Sequence, residues 1–142
     1  MKGFKRLSDR ELVNLKPYIK QVMESEKDVR IYVGSDSQTV NSETTIYATV
    51  IAFHYGTRGA HVIYKRQTGP IVKDRFTRLW DEVVKSIDTA LNVSNSLKGV
   101  SGRNLILESF DSNINGTWLS WIYVFKVSVI LSTKPYEIAL AW

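Results

Sequence analysis

The sequence of 142 residues contains no cysteine. This absence excludes a disulfide framework, a thiolate zinc site, an iron–sulfur cluster and a cysteine nucleophile. Histidine and proline are scarce as well, with two and three residues, and no proline-, glycine- or serine-rich linker divides the chain. A hydrophobic content of 44% and a charged content of 23% are ordinary values for a globular protein. We therefore expect residues 1–142 to form one domain with its own core.

The sequence also lacks a long apolar run. Its longest apolar stretch, Trp118 to Leu131, is interrupted by Lys126 and two serines and is shorter than the ~20 residues that a membrane-spanning helix needs. The basic N-terminus is not followed by the apolar segment of a secretory signal. We therefore expect a cytoplasmic protein.

Basic residues outnumber acidic ones, 19 to 14, which gives a net charge of +5. Residues 1–30 hold eight basic and five acidic residues, and the stretch from Lys65 to Arg78 is basic apart from Asp74. One interpretation is solvated faces that aid solubility. The other is a surface that contacts the backbone of a nucleic acid.

Hydrophobic periodicity predicts the secondary structure. Ser8 and Glu11 have the spacing of a capping box, and the apolar residues that follow predict a helix over 9–25, kinked or split near Lys16 by Pro17. Strands are predicted over 29–33, 44–55 and 60–68, the last two joined by a tight hairpin at 56–59. A long helix is predicted over 74–97, with one apolar stripe that we expect to face the core. The stripe consists of Phe76, Leu79, Trp80, Val83, Val84, Ile87, Ala90 and Leu91.

The rest of the chain predicts a strand over 103–110, a short helix around 118–125, a strand over 127–131 and a closing helix from Pro135 to Trp142. Hairpin-linked strands followed by strand–helix–strand units indicate an α/β fold, in which a mixed sheet carries helices on its faces.

Two polar segments follow apolar strands, and each carries an aspartate, Asp36 in one and Asp111 in the other. If the two strands are parallel neighbours, both carboxylates emerge at one edge of the sheet, where open α/β sheets place their sites. Paired carboxylates without cysteine or clustered histidine favour Mg²⁺ or Mn²⁺. Taken singly, an aspartate in a polar turn after a strand is more often a turn-former or a helix cap than a ligand.

A third carboxylate is available on the long helix, from Asp81 or Glu82. Both lie outside the apolar stripe, on opposite flanks, so helical geometry does not choose between them. The alternative for either residue is an ordinary solvated helix face.

At this point the sequence resembles a known family. The strand end from Ile31 to Gln38, the helix from Arg78 to Leu91, the turn from Asp111 to Asn113 and the Lys134–Pro135 step are similar to the YkuK-type group of predicted nucleases. That group belongs to the ribonuclease H-like superfamily. The resemblance implies a five-stranded mixed sheet, with three antiparallel strands first and two parallel ones after, flanked by helices. It also implies nuclease activity with two metal ions.

Carried over to this sequence, the resemblance implies Asp36, Glu82 and Asp111 as catalytic residues and metal ligands, with Asp81 as the alternate on the helix. It implies a fourth carboxylate shortly after the Lys–Pro step, where Glu137 is the only acid. Either Glu137 substitutes, or the second metal site is weak or absent, or the chain given lacks its natural end. The expected cofactor is Mg²⁺ or Mn²⁺ and the expected partner is a nucleic acid, which could be RNA, DNA or a hybrid of the two.

Three smaller features have plainer interpretations. His54 and His61 would be direct cross-strand neighbours if the hairpin turned at 57–58, but two histidines need a third metal ligand to be persuasive. Ser35 and Ser37 lack the histidine partner of a nucleophilic serine. The tryptophans at helical spacing, Trp80, Trp118 and Trp121, are interpreted as core residues rather than base-stacking residues.

The sequence thus supports two functions. The first is a metal-dependent nuclease. The second is a non-catalytic nucleic-acid-binding or assembly module with the same fold and an incomplete active site.

Overall fold

The structure, a computed structural model, describes residues 3–25, 29–97, 104–110 and 126–132. These residues form seven strands and two helices. In chain order they are β1 (Phe4–Arg6), β2 (Leu12–Val13), α1 (Leu15–Ser25), β3 (Arg30–Val40), β4 (Thr44–His54), β5 (Ala60–Pro70), α2 (Arg75–Ser96), β6 (Asn104–Phe110) and β7 (Lys126–Ser132).

All seven strands belong to one sheet, with the order β2-β1-β5-β4-β3-β7-β6. Five strands are long, and the short β1 and β2 extend the sheet beyond β5. Every pair of neighbouring strands among the described residues is antiparallel. The expected α/β architecture is present in outline, but the prediction of two parallel strands is wrong.

The direction of β7 relative to β6 explains the difference from the prediction. β6 and β7 pair antiparallel along their whole length, from Asn104 opposite Ser132 to Phe110 opposite Lys126, and β7 lies between β6 and β3. A parallel connection needs a crossover of a dozen or more residues, whereas an antiparallel one only needs the chain to reverse. The interval between Phe110 and Lys126 is long enough for either, so sequence spacing could not decide.

The two faces of the sheet differ. Alternate residues of a strand point to opposite faces, and β4 alternates strictly between buried and half-exposed side chains. Both helices pack on the buried side, which we call the helix face: Tyr18 of α1 contacts Phe53 and His61, and α2 contacts Ser37 and Tyr47. The opposite side, here called the open face, carries no helix among the described residues. It includes Tyr32, Gly34, Asp36, Ile46, Ala48, Val50, Ala52, Val62, Tyr64 and Arg66.

The first helix is shorter than the sequence predicted. Residues 4–13 form the hairpin of β1 and β2 instead of a first helical turn, and the predicted capping box does not form. Arg10 adopts a positive φ of 61° in the connecting turn, and the Arg6 side chain contacts both Asp9 and Glu11. Because α1 begins at Leu15, Pro17 lies in its first turn, where a backbone N–H has no partner within the helix. Pro17 is therefore compatible with α1, which is continuous from Leu15 to Ser25.

The polar segment from Gly34 to Gln38 is not a turn. It belongs to β3, which pairs with β4 without interruption from Arg30 to Val40. The sequence suggested a turn because glycine, serine and aspartate are typical turn residues. The continuous ladder overrides that local preference.

The hairpin between β4 and β5 is shifted by one residue from the register that would pair the two histidines. His61 lies opposite Phe53, and His54 lies opposite Ala60. Glycines with positive φ at Gly56 and Gly59 form the turn. A shift of one residue moves a side chain to the other face, so His54 and His61 lie on opposite faces of the sheet.

The long helix α2 lies at its predicted position in the chain, but the side that faces the sheet is not the predicted one. Asp74 caps its N-terminus by accepting the backbone N–H of Thr77 at 2.7 Å. The side that contacts the sheet is mainly polar, with Glu82, Ser86 and Thr89 buried beside Ala90 and Val93. The sheet beneath this side presents hydroxyl groups, which the polar side can satisfy. Most of the predicted stripe therefore faces away from the sheet: Phe76, Trp80, Val84, Ile87 and Leu91 are exposed, whereas its member Ala90 is buried.

The core lies between the helix face and α1, with the C-terminal half of α2 at its edge. Each large apolar side chain removed from water there contributes roughly 1.5–3 kcal/mol. No helix within the described ranges is long and apolar enough to cross a membrane. The core residues are Phe4, Ile19, Val22, Met23, Val29, Ile31, Val33, Ile51, Phe53, Ile63, Ala90, Val93 and Leu97.

Matched truncations test which side of α2 is covered. Ile31→Ala, at a fully buried position, should reduce the free energy of unfolding by about 2–5 kcal/mol. Leu91→Ala, on the stripe at 52% exposure, should change it by no more than about 0.5 kcal/mol. Urea denaturation followed by circular dichroism measures both. A Leu91→Ala cost as large as that of Ile31→Ala would show that the stripe is buried in solution.

Candidate functional site

The candidate site lies where the second half of β3 meets the first half of α2. The helix runs antiparallel to β3: Arg78 donates to Thr39 at 2.7 Å, and Glu82, one turn later, reaches Ser37. The N-terminal half of α2 therefore lies over the end of β3 that contains Asp36. This packing positions the helix acids at the same level of the sheet as Asp36.

Glu82 is buried against the strand, with 7% of its surface exposed. The Ser37 hydroxyl donates to its Oε1 at 2.5 Å. Ser86, one turn along the helix, donates its hydroxyl to the backbone carbonyl of Glu82 at 2.9 Å. A buried carboxylate needs such donors to offset its lost hydration, so the serine at position 37 helps to hold Glu82 in place.

Asp81 occupies a separate environment on the same helix. Its carboxylate accepts the hydroxyl of Tyr47 at 2.8 Å. Burial, the hydrogen bond to Asp81 and the negative charges of Asp81 and Glu82 raise the pKa of Tyr47 to about 12. Lys85 lies 4.7 Å from the centre of the Tyr47 ring. At neutral pH Tyr47 is therefore protonated and acts as a donor, not as a base.

Asp36 is exposed and lies on the other side of β3. Ser37 points to α2, and alternation along the strand directs Asp36 to the open face. Its Oδ1 accepts the backbone N–H of Ser37 at 3.0 Å. Asp36 points to the open face, whereas Glu82 contacts the next residue, Ser37, from the helix face. The structure therefore does not bring the two carboxylates together.

Asp111 and Glu137 lie outside the described residues. The backbone nevertheless fixes where β6 ends. Ile31 and Leu105 both stand opposite Leu131 of β7, so five residues further along each strand Phe110 stands level with Asp36. Two strand spacings separate them, about 10 Å. The chain therefore leaves β6, immediately before Asp111, at the level of Asp36 and Glu82.

Comparison with known proteins supplies the family. A family model described as ribonuclease H-like matches residues 14–117. The chain belongs to the ribonuclease H-like family. The matched range begins at the residue before α1 and contains Asp36, Glu82 and Asp111, whereas Glu137 lies beyond it. Neither curated proteins nor solved structures give a significant match.

A ribonuclease H-like protein raises the question of metal ligands. Within the described parts of the chain, no three histidine, aspartate or glutamate side chains gather closely enough to hold a metal ion. The separation of Asp36 from Glu82 by the thickness of the sheet accounts for this. The described residues alone therefore do not fit a metal centre, and no catalytic step through a metal follows from them.

Sequence reasoning missed the hydroxyl groups beneath α2. Ser35 and Thr49 are buried and hydrogen-bonded to each other at 2.9 Å. Thr45, fully buried, accepts the backbone N–H of Val72 at 2.9 Å. These residues alternate with the residues of the open face along β3 and β4, so period-two spacing was the signal that could have found them. In β3 this signal was obscured because the segment from Gly34 to Gln38 resembles a turn.

The Tyr47–Asp81 contact predicts a measurable titration. Asp81→Asn removes the charge that helps to raise the pKa, so the pKa of Tyr47 should fall from about 12 toward its ordinary value of 10 and stay above it because burial persists. Stabilisation from protonated Tyr47 is complete below pH 10 and lost as the pH rises to about 12.

The measurement is the phenolate absorbance over an alkaline titration, limited to pH values at which circular dichroism shows folded protein. Tyr47→Phe identifies the contribution of this tyrosine among the seven in the chain. Identical titrations of Asp81→Asn and the wild type would contradict the assignment.

Proposed function

We propose that this ribonuclease H-like protein is a metal-dependent nuclease of the YkuK-type group, which hydrolyses phosphodiester bonds of a nucleic acid. The observation that carries the proposal is positional. Asp36, the Glu82 carboxylate at Ser37 and the end of β6 before Asp111 all lie at one level of the sheet. Membership of the family supports the same reaction class.

The proposal gives Asp36, Glu82 and Asp111 the role of ligands for Mg²⁺ or Mn²⁺, with Glu137 as the fourth carboxylate. Of the two helix acids, Glu82 is preferred because it contacts the residue next to Asp36, whereas Asp81 is engaged by Tyr47 on β4. Carboxylates are the ligands that hard divalent cations favour. If these residues hold such a cation, it would supply Lewis-acid chemistry for attack at phosphorus.

Nucleic acid is the proposed partner, and residues 1–142 are proposed to act as a single domain. Ribonuclease H-like folds generally bind nucleic acids, and the chain carries a net charge of +5. Basic residues contribute to such binding by releasing counterions from phosphates.

A specific observation favours a second candidate function, a non-catalytic nucleic-acid-binding or assembly module. Asp36 and Glu82 lie on opposite faces of β3, and Glu82 is held by Ser37. A chain that keeps this arrangement in the presence of metal would bind nucleic acid without cleaving it.

The nuclease proposal predicts the effect of two substitutions. Asp36→Asn and Glu82→Gln should each reduce Mn²⁺-dependent cleavage at least about 100-fold, because even residues that only orient metal ligands typically cost 10- to 100-fold. The assay covers single-stranded, duplex, hybrid and branched substrates with and without Mn²⁺. Asp88→Asn, an exposed acid on the same helix, is the matched control and should retain activity. Unchanged cleavage by Asp36→Asn would reject the proposed site.

Calorimetric titration with Mn²⁺ separates the two candidate functions. The nuclease proposal expects binding that Asp36→Asn abolishes and Asp88→Asn leaves intact. If the wild type binds nucleic acid but shows neither Mn²⁺ binding nor cleavage, the non-catalytic module is correct. Nucleic-acid binding is measured in the same samples by fluorescence anisotropy.

A further inference from the structure

The open face of the sheet is apolar at its centre and carries no helix among the described residues. Along β4, the residues of the helix face are buried, whereas those of the open face are only half-buried. Both helices contact the helix face. A contiguous apolar surface that is not fully covered is a candidate binding site. Its centre consists of Ile46, Ala48, Val50, Ala52 and Val62.

Two tyrosines and three basic residues surround this apolar centre. Tyr32 on β3 and Tyr64 on β5 are partly exposed. Arg30, Arg66 and Lys5 are exposed, and Lys5 shares the face because it pairs with Tyr64. Asp36 is the only acid on this face within β1 and β3–β5. The face is therefore basic, which suits an anionic occupant.

The ladders fix how these side chains are spaced. Gly34, Val50 and Tyr64 stand in one row, and Asp36, Ala48 and Arg66 stand in the next. Tyr32 is one row from Gly34 on the other side, so the two tyrosines are about 12 Å apart across the sheet. Gly34 leaves open space beside them, since a Cβ added there would meet no atom within 4 Å.

We propose that the open face binds a single strand of nucleic acid, with unpaired bases stacked on Tyr32 and Tyr64 and phosphates at Arg30, Arg66 and Lys5. Aromatic side chains in a basic surface are the usual platform for unpaired bases, because every base has a stacking face. In a duplex these faces are covered by neighbouring base pairs. The path of the strand passes Asp36, and to that extent the inference rests on the proposed function.

Two glycines provide a test variant and a matched control. Gly34→Val places a strand-favouring side chain on the open face beside Tyr32 and in the row of Tyr64, where its Cβ meets no atom within 4 Å. Gly69→Val is the matched control: it also meets no atom within 4 Å, but it pairs with Thr45 and so lies on the helix face. Circular dichroism and urea denaturation establish that both variants fold.

Binding is measured by fluorescence anisotropy in EDTA, so that cleavage does not interfere. The probes are labelled oligothymidylate and oligouridylate of about 12 nucleotides, a length in the range covered by single-strand binding modules. A hairpin duplex is the comparison. Wild-type protein should prefer the single strands, Gly34→Val should bind them at least about fivefold more weakly, and Gly69→Val should bind like the wild type.

Two further variants separate stacking from charge. Tyr64→Ala should weaken binding at least about fivefold, whereas Tyr64→Phe, which keeps the ring, should restore it. Arg66→Ala should make the salt dependence of binding shallower by about 0.7 in the slope of log K against log salt, the value for one lost phosphate contact on a single strand.

The inference is overturned if Gly34→Val binds single strands as tightly as the wild type, if duplex is bound equally well, or if no single strand is bound. The nuclease proposal is decided separately, by Mn²⁺-dependent cleavage. If Gly34→Val does not change cleavage, the nuclease proposal is kept and the proposed binding face is rejected. If Gly34→Val abolishes single-strand binding and the wild type shows no cleavage, the binding face is kept and the nuclease proposal is rejected.

Discussion

The continuous pairing of β3, β4 and β5 is the constraint on which the rest of the molecule depends. Each pair of strands is in register over its full length, from Arg30 to Val40 and from Thr44 to His54. Because side chains alternate with a period of two, this register assigns every residue of the three strands to one face. It places Ser37 beneath α2 and Asp36 on the opposite side. The same register separates the two histidines.

The contact between α2 and the sheet follows from this assignment. β3 and β4 present Ser35, Ser37, Thr45 and Thr49 to the helix, so the sheet offers hydroxyl groups rather than a purely apolar surface. The helix meets them with its polar side, where the buried Glu82 finds a donor in Ser37. Most of its apolar stripe is left exposed among the described residues, with Trp80 at 60% exposure. Satisfying polar groups at the sheet thus takes precedence over burying the most apolar side of the helix.

This arrangement places the candidate site residues on two surfaces. Glu82 and Asp81 belong to the helix face, where hydrogen bonds hold their carboxylates. Asp36 belongs to the open face, beside tyrosines and arginines. Asp36, Glu82 and the end of β6 nevertheless lie at one level of the sheet. This matters in a ribonuclease H-like protein, because acids from different elements can contribute to one centre only if the fold brings them to one level.

The sequence by itself determined β4 to β7, the first half of β3, the long helix and the family, since each is encoded locally by hydrophobic period or by a short run of residues. It also identified Asp36 and Glu82 as candidate residues. Only the tertiary structure decided strand direction, hairpin register and the side of α2 that is covered. These depend on pairing between distant segments: the interval before Lys126 allows either strand direction, and a shift of one residue in the β4–β5 turn exchanges the faces. Whether the acids share a face is a property of the ladder, and no local pattern specifies it.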